Sequence, residues 1–575
     1  MTFVQPSSPV AGSLFLSALA GMLPLVTIFV LLGAVRAKAH FAALSALAVA
    51  LLVSVLAFGM PLRLAVLSGT EGGVFGLFPI MWIVLCAIWL YQLTVVSGRF
   101  EDLRGAFRLI SDDSRIQAVI IAFCFGSLLE ALAGFGAPIA ITGVMLMALG
   151  FSAMRAATVV LLANTAPVAF GAIATPIITA GALTGIDYHH IGAYVAVQTP
   201  VFALVVPLLL VILVDGRRGL RQTWPFALTV GTVFSVAKFI SARYISVELT
   251  DVIASLAGML TAVVMLRFWQ PAGTMEANET LRVEHELELK ELALATASAG
   301  PGSAGSAGSA VVTGPAPDAL GEQSVLSPSR IAMSLVPYLV VIAVFSVTQL
   351  WTPFKHSLAG TDLKINWPGL NGHVLNHAGK PISSTIYNFT WLSSPGTLLL
   401  FCGIIVALIY RVTPAAAVQE FGKVLFKMRF TLLTVGSLLG VAYVMNQSGQ
   451  TIAIGTWIAS AGAGFAFLSP ILGWLGTAVT GSDTSANALF STLQQTVGQK
   501  TGIDPSLLVA ANTSGGVLGK MISPQNLTIA ATAVGLPGRE SALFRKIAPW
   551  SLGMLLAMCV LVYLQSTPVL SWMLG

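Results

Sequence analysis

Charge is what this chain of 575 residues has least of: Asp, Glu, Lys and Arg together make up 9% of it, against 56% hydrophobic residues and a mean hydropathy of +0.88. A soluble chain of this length would need charged surface over several domains, so that class is excluded and a polytopic membrane protein is indicated. Cysteine is scarce too. The four present, Cys86, Cys124, Cys402 and Cys559, stand alone inside apolar runs without C-x-x-C spacing or a nearby histidine, so no disulfide framework, zinc site or redox pair is implied. Strand-type alternation is missing, which excludes a barrel and leaves helical spans. The first ten residues carry no charge, so the positive flank of a secretory signal is absent. The apolar run at about 11–34 is too long for a signal core and reads as a retained first helix. The 29 Lys and Arg that give a net charge of +6 are scattered through loops beside apolar runs, where they mark topology and not a nucleic-acid surface.

Apolar sequence is abundant, in runs near the ~20 residues that cross a bilayer, and these imply about 12 to 14 membrane segments. Between two sets of runs, residues 272–330 hold 8 of the 23 acidic residues and then G-P-G-S-A-G-S-A-G-S-A. That stretch reads as a flexible linker with one exposed helix, separating an N-terminal membrane repeat at 1–271 from a C-terminal one at 331–575. A second polar interval, about 353–394, is rich in Asn, Gly, Pro and Trp and reads as an ordered external loop. Five basic loops, beginning at Arg36, Arg99, Arg217, Arg411 and Arg539, are placed in the cytoplasm; the N-terminus and the turns at 187–190 and 446–450 then lie outside.

That sidedness makes two intervals informative. Residues 116–150 start and finish beside basic loops and are interrupted by A-G-F-G-A-P (133–138), the pattern of a re-entrant helical hairpin entered from the cytoplasm. Residues 466–498 start and finish outside and break at T-G-S-D-T-S (480–485), a second hairpin of opposite sense. After each comes A-N-T within an expected interrupted helix, at Asn164 and Thr165 and again at Asn512 and Thr513. The fold class expected is therefore an all-α polytopic membrane protein of two inverted-topology repeats with re-entrant hairpins and broken helices, whose half-helix ends converge near the bilayer midplane.

Few ionisable residues interrupt the apolar runs. Glu130, Asp483 and Lys520 do so most deeply, and Glu71 lies in a Gly-rich interval. A charge at mid-membrane costs roughly 2.5–3.5 kcal/mol on insertion scales, so each needs a partner or a wet cavity. One reading is purely structural: the carboxylates pair with Lys520 or with backbone at the breaks, Lys520 bridging to Asp483. The functional reading gives proton coupling to Glu130 and Asp483. Glu130, in L-L-E-A-L-A-G-F, is the better proton carrier because apolar neighbours disfavour its charged form. Asp483, flanked by Ser482, Thr484 and Ser485, has hydroxyl donors to hold it ionised and suits an ion or substrate anchor. Lys520, with Gly515, Gly516 and Gly519 beside it, would receive an anionic substrate; one embedded cation suits one carboxylate.

Asn164, Thr165, Asn512, Thr513, Ser514 and Asn487 would hydrogen-bond a substrate hydroxyl or coordinate sodium, or else simply bond across helices, and Ser482, Thr484 and Ser485 are further candidates to meet the substrate hydroxyl. Tyr443 and Asn446 are weaker candidates. The histidines fall in loops or the linker, and His285 has no second histidine at metal spacing, so no metal or cofactor is expected.

The segments F-C-F-G-S-L-L-E-A-L-A-G-F-G-A-P-I-A-I-T, L-A-N-T-A-P-V-A-F-G-A, L-G-W-L-G-T-A-V-T-G-S-D-T-S-A-N-A-L-F and A-A-N-T-S-G-G-V-L-G-K-M-I-S-P-Q-N closely resemble the lactate permease family. The resemblance covers nearly the whole chain apart from the linker at about 272–325. It implies inner-membrane uptake of L-lactate, D-lactate or glycolate with a proton. It also implies kinship with inverted-repeat ion transporters, often homodimeric, in which a transport domain moves as an elevator. The expectation is a multi-pass symporter in the lipid bilayer for a small 2-hydroxymonocarboxylate and a proton, not an enzyme. Two alternatives are a sodium-coupled carboxylate symporter and an intramembrane hydrolase pairing Ser482 or Ser514 with Lys520. Against the hydrolase, neither G-x-S-x-G nor H-E-x-x-H spacing occurs.

Overall fold

Apolar residues immersed in lipid must satisfy their backbone groups internally, and this chain does so with helices. The structure is a computed structural model that describes residues 2–6, 8–35, 37–102, 110–134, 136–298, 327–376, 379–536 and 539–574. Among these, ten helices are long and apolar enough to cross a membrane, or eleven when one bent pair is taken as a single span. Leu62–Val96 begins fourteen residues before the apolar run expected at 76–97, because the polar and Gly-rich S-G-T-E-G-G at 68–73 depresses hydropathy without breaking the helix. Its interruption comes later, at Phe78 (φ −138°, ψ 123°). Tyr188–Ile240 departs from helical geometry at Asp215 (φ −140°, ψ 20°) and Gly216 (φ 61°, ψ −147°), so it comprises two spans that meet beside Arg217 and Arg218.

Two units of the same element order form the centre. In the first, Ser114–Ala118 continues through Val119–Phe125 and Gly126–Ala133, turns, and returns as Ala137–Met147. Ala153–Ala163 follows, then a break, then Gly171–Thr184; the segments on either side of the break are bent by 63°. In the second unit, Phe465–Thr480 turns at Gly481 and Ser482 into Asp483–Thr501, followed by Pro505–Lys520, a break, and Pro524–Ala533.

Contacts between the units show their opposed sense. Gln495 Nε2 donates to the Thr184 carbonyl at 2.8 Å and the Tyr194 hydroxyl to Asp504 Oδ2 at 2.6 Å, so the first broken helix ends where the second begins. At the far end, Gly136 and Gly143 on the returning arm of the first hairpin lie against Ile529 and Val534 of the last segment. The layout is inverted, as the loop charges implied.

One detail differs from expectation. Asn512 lies within a continuous helix, and the second break follows Lys520. The glycines between them do not interrupt the helix, because a methyl added at Gly515 or Gly519 would collide with the carbonyl of Pro470 or Trp474 and the bare backbone is needed for packing on Phe465–Thr480. The helix stops where Pro524 disfavours helical geometry at the residue before it, and Ser523 caps the next segment, accepting from Asn526 N at 3.3 Å.

The surroundings are fixed by the same means. Pro414–Ser448 packs along Ala39–Leu56 and Leu62–Phe75. In the polar interval at 353–394, Leu363–Asn366 pairs antiparallel with Ile386–Phe389, and Val374–Leu375 pairs with the N-terminal strand Phe3–Val4. The N-terminus and this loop therefore share one face.

The linker expected at 272–330 is only partly described, its Gly, Ser and Ala tract at 299–326 lying outside the described residues. Its first part, Thr274–Ser298, is a helix docked on the opposite face. Asn278 Oδ1 accepts from Ser114 N at 3.1 Å; the Glu288 carboxylate accepts from the N–H groups of Ala153 (2.7 Å) and Met154 (3.2 Å); and Glu284 pairs with Arg155.

Candidate substrate and proton site

Glu130 stands in the last full turn before the first hairpin's tip, near a helix C-terminus whose dipole opposes a carboxylate. It is 3% exposed and is held by two donors. Lys520 Nζ lies 2.5 Å from Oε1, and Asn164 Nδ2, at the first helix break, donates to Oε2 at 2.9 Å. Lys520 is the last residue of Pro505–Lys520, where unpaired carbonyls favour a cation. Close approach is possible because Gly134 and Gly171 flank the carboxylate; a Cβ at Gly171 would come within 3.1 Å of Oε1. This ion pair joins the hairpin and break of one unit to the broken helix of the other.

Asp483 opens Asp483–Thr501 and is also 3% exposed. The hydroxyls expected to surround it do not. Ser482 spends its oxygen capping Ser485 N at 3.3 Å, and neither Thr484 nor Ser485 donates to the carboxylate. Among the described residues its one hydrogen bond, from Thr477 Oγ1 to Oδ1, is long at 3.5 Å, and Oδ2 has none. What steadies it is the helix N-terminus on which it sits. Lys520 is near enough to act on it electrostatically but bridges to Glu130, so the Lys520–Asp483 pairing of the structural reading is replaced by one between the units. Asp483 packs on Gly516, one turn before Lys520, and the three charged groups expected from sequence are thus gathered.

Most of the amides and hydroxyls are spent on each other. Asn487 Oδ1 accepts from Asn512 Nδ2 and Thr513 Oγ1, both at 3.0 Å, and Ser514 donates to Gln198 Oε1 at 2.6 Å. Thr165 Oγ1 bonds back to the Leu162 carbonyl at 2.7 Å. All of these but Thr165 tie helices together. Three buried atoms near the charges lack partners among the described residues: Asn164 Oδ1, Asp483 Oδ2 and Asn487 Nδ2. Unsatisfied polar atoms in a buried site call for an explanation, and a polar ligand supplies one.

The sequence reading missed a second buried pair. Lys238 and Asp251, each fully buried, stand 3.0 Å apart, off the line of a hydrogen bond. Lys238 Nζ also donates to the Ala166 carbonyl at 2.5 Å and lies 4.9 Å from the Phe170 ring centroid, so it fixes the first helix break. Both residues looked terminal, Lys238 near the end of one apolar run and Asp251 at the start of the next. Glu71 is buried and accepts from Gln447 Nε2 at 2.9 Å. The Tyr443 ring lies 5.8 Å from that of Phe75 at a tilt of 37°, and the Asn446 carbonyl accepts from Gln5.

Residues 17–569 match the sequence model of a family described as L-lactate permease. The chain belongs to the L-lactate permease family. It is 38% identical to the L-lactate permease of Bacillus subtilis (strain 168), with 100% of each chain covered. It is 39% identical to the glycolate permease GlcA of Escherichia coli (strain K12) over 96% of each, and 36% identical to the L-lactate permease of that strain over 100% of each. Among solved structures, the YdaH transporter of Alcanivorax borkumensis aligns with a TM-score of 0.31 at 15% identity, covering 77% of this chain and 88% of that one, too slight a likeness to carry an argument. Membership makes the chain a multi-pass membrane permease and not an enzyme, so the hydrolase alternative for Ser482, Ser514 and Lys520 is set aside.

Proposed function

We propose that the chain is a secondary active transporter that carries a small 2-hydroxymonocarboxylate, lactate and also glycolate, inward across the inner membrane together with a proton. The observation that carries this reading is the buried Glu130–Lys520 pair. In the empty carrier each is the other's counterion. A substrate carboxylate that takes Lys520 leaves Glu130 without its cation in a low-dielectric site, and Glu130, or the Glu130 and Asp483 pair, then takes up the proton. Empty and doubly loaded sites are equally balanced. Counted over Glu130, Lys520 and their ligands, with Asp483 held by its own helix N-terminus, anion alone or proton alone leaves one net charge, which costs roughly 2.5–3.5 kcal/mol to carry through mid-membrane. Strict coupling follows from that arithmetic.

The substrate hydroxyl is assigned to the unpartnered Asn164 Oδ1 and Asn487 Nδ2, with Thr484 and Ser485 adjoining. The basic loops and the shared face of N-terminus and polar loop support an outside N-terminus. A second reading, sodium coupling, is favoured by Asp483 Oδ2, a carboxylate oxygen without a partner among the described residues, on a group whose Oδ1 accepts from Thr477 Oγ1. Uptake into proteoliposomes under an imposed proton or sodium gradient tests both. Lactate accumulation with the proton gradient alone is expected; accumulation with sodium alone would overturn proton coupling.

A further inference from the structure

The first helix break runs from Asn164 to Phe170, between Ala153–Ala163 and Gly171–Thr184. Two contacts at its ends lead to Glu130: Asn164 Nδ2 donates to Oε2 at 2.9 Å, and Gly171 packs on the Glu130 side chain. Two contacts between them lead to Lys238. Its ammonium donates to the Ala166 carbonyl at 2.5 Å, two residues after Asn164, and lies 4.9 Å from the ring centroid of Phe170, one residue before Gly171. The segment that meets Glu130 at 164 and 171 is thus held by Lys238 at 166 and 170.

That hold answers two needs of the break. A buried carbonyl outside regular helix requires a donor, and Lys238 is the one Ala166 has. Directly beyond Gly171, Ala172, Ile173 and Ala174 have φ of 44°, 56° and 55°, a left-handed geometry that residues with a Cβ keep only where their surroundings fix it. Lys238 is fixed in turn by Asp251, 3.0 Å away in the first turn of Thr250–Phe268, where a helix N-terminus favours a carboxylate. The pair is neutral, so it adds no net charge to the balance between Glu130 and Lys520.

We infer that Lys238 is a positioning residue for recognition of the substrate's 2-hydroxyl. Through the Ala166 carbonyl it sets Asn164, so that Nδ2 stays on Glu130 and Oδ1 is presented to the hydroxyl. This rests on the transport reading and on the assignment of the hydroxyl to Asn164 Oδ1. Without the ammonium the break relaxes and the hydroxyl loses its partner, while the substrate carboxylate still meets Lys520.

Propionate, which is lactate without the hydroxyl, is the probe, competing with labelled lactate during exchange at equal pH in proteoliposomes. In the parent chain propionate should need about tenfold the concentration of unlabelled lactate or more for the same inhibition, the worth of one buried hydrogen bond. Lys238→Met/Asp251→Leu removes both charges together and strands neither. It should bring the two concentrations within about threefold of each other, by weakening lactate and leaving propionate nearly unchanged. Asn164→Ala should do the same, and adding it to the pair replacement should cost no further preference, because residues acting through one contact are not additive. Where the pair-replaced chain fails to insert or to transport, Phe170→Leu, which loosens the other hold on the break without touching a charge, is read in its place and should cut the preference severalfold. No lactate exchange by the parent chain sinks the transport reading, and equal competition by the two acids in the parent chain sinks the hydroxyl assignment. A parent chain that discriminates, with its preference intact in the variant read, sinks the positioning role alone, even if that variant binds both acids more weakly.

Discussion

Lys520 and Lys238 are both buried against a carboxylate, yet their surroundings give them different work. Lys238 is closed in by the rings of Phe170 and Phe234 and spends its ammonium on Asp251 and a backbone carbonyl. Lys520 stands among glycines, with unpartnered polar atoms on neighbouring segments, so its partner can be exchanged. Removing one member of a buried pair strands the other, at about 3–5 kcal/mol. Lys238→Met should therefore lose most of its thermal stability in detergent, and Lys238→Met/Asp251→Leu should recover much of it. Equal melting of the single variant and the parent chain would show that the pair is not structural. Glu130, Asp483 and Lys520 were legible in the sequence because each interrupts a long apolar run. Lys238 and Asp251 were not, since a charge near the end of a run reads as a boundary. That Lys520 pairs with Glu130 and not Asp483 was also hidden, because pairing between units depends on how two distant segments pack.

The hairpins were readable from A-G-F-G-A-P and T-G-S-D-T-S together with the loop charges, since Gly and Pro at the centre of an apolar run have few other uses. The second helix break was misplaced. Repeated A-N-T drew attention to Asn512, whereas the glycines after it serve close packing and the break waits for Pro524. Gly516 carries both Asp483 and Thr477 on its bare backbone, so Gly516→Ala is expected to displace the carboxylate at about 1–3 kcal/mol in stability. Uptake should fall at least tenfold while the variant still inserts; uptake at the parent rate would show that the position of Asp483 does not matter. The helix Thr274–Ser298 looked like free linker from its charge, and its docking depends on partners far away in sequence. One of them is Asp113. Burial alone would raise this carboxyl, but hydrogen bonds from Arg115 (2.7 Å) and Thr274 (2.9 Å) and the guanidinium charge hold it below its ordinary value. A lowered folded value means that its contribution is complete above the unfolded pKa and disappears only as the pH falls through the folded one. Hydrogen-exchange protection of 274–298, corrected for intrinsic rates, should thus be steady from about pH 8 to pH 5 and weaken only below about pH 4. Loss of protection between neutrality and pH 5 would contradict this.

Across the whole molecule, two units of opposite sense place the carboxylate of one against the ammonium of the other. The second unit carries Asp483 beside Lys520 as well, but the ammonium bridges to the first unit's Glu130, so the packing of the two units and the pairing at the site are linked. On the proposed mechanism, Glu130 takes the proton when Lys520 turns to the substrate. Its most direct test is Glu130→Gln in proteoliposomes, comparing lactate accumulation driven by a pH gradient with lactate exchange at equal pH. A neutral, isosteric amide leaves Lys520 free for the substrate but carries no exchangeable proton, so accumulation should be abolished while exchange persists. Gradient-driven accumulation at the parent rate in Glu130→Gln would remove Glu130 from that role.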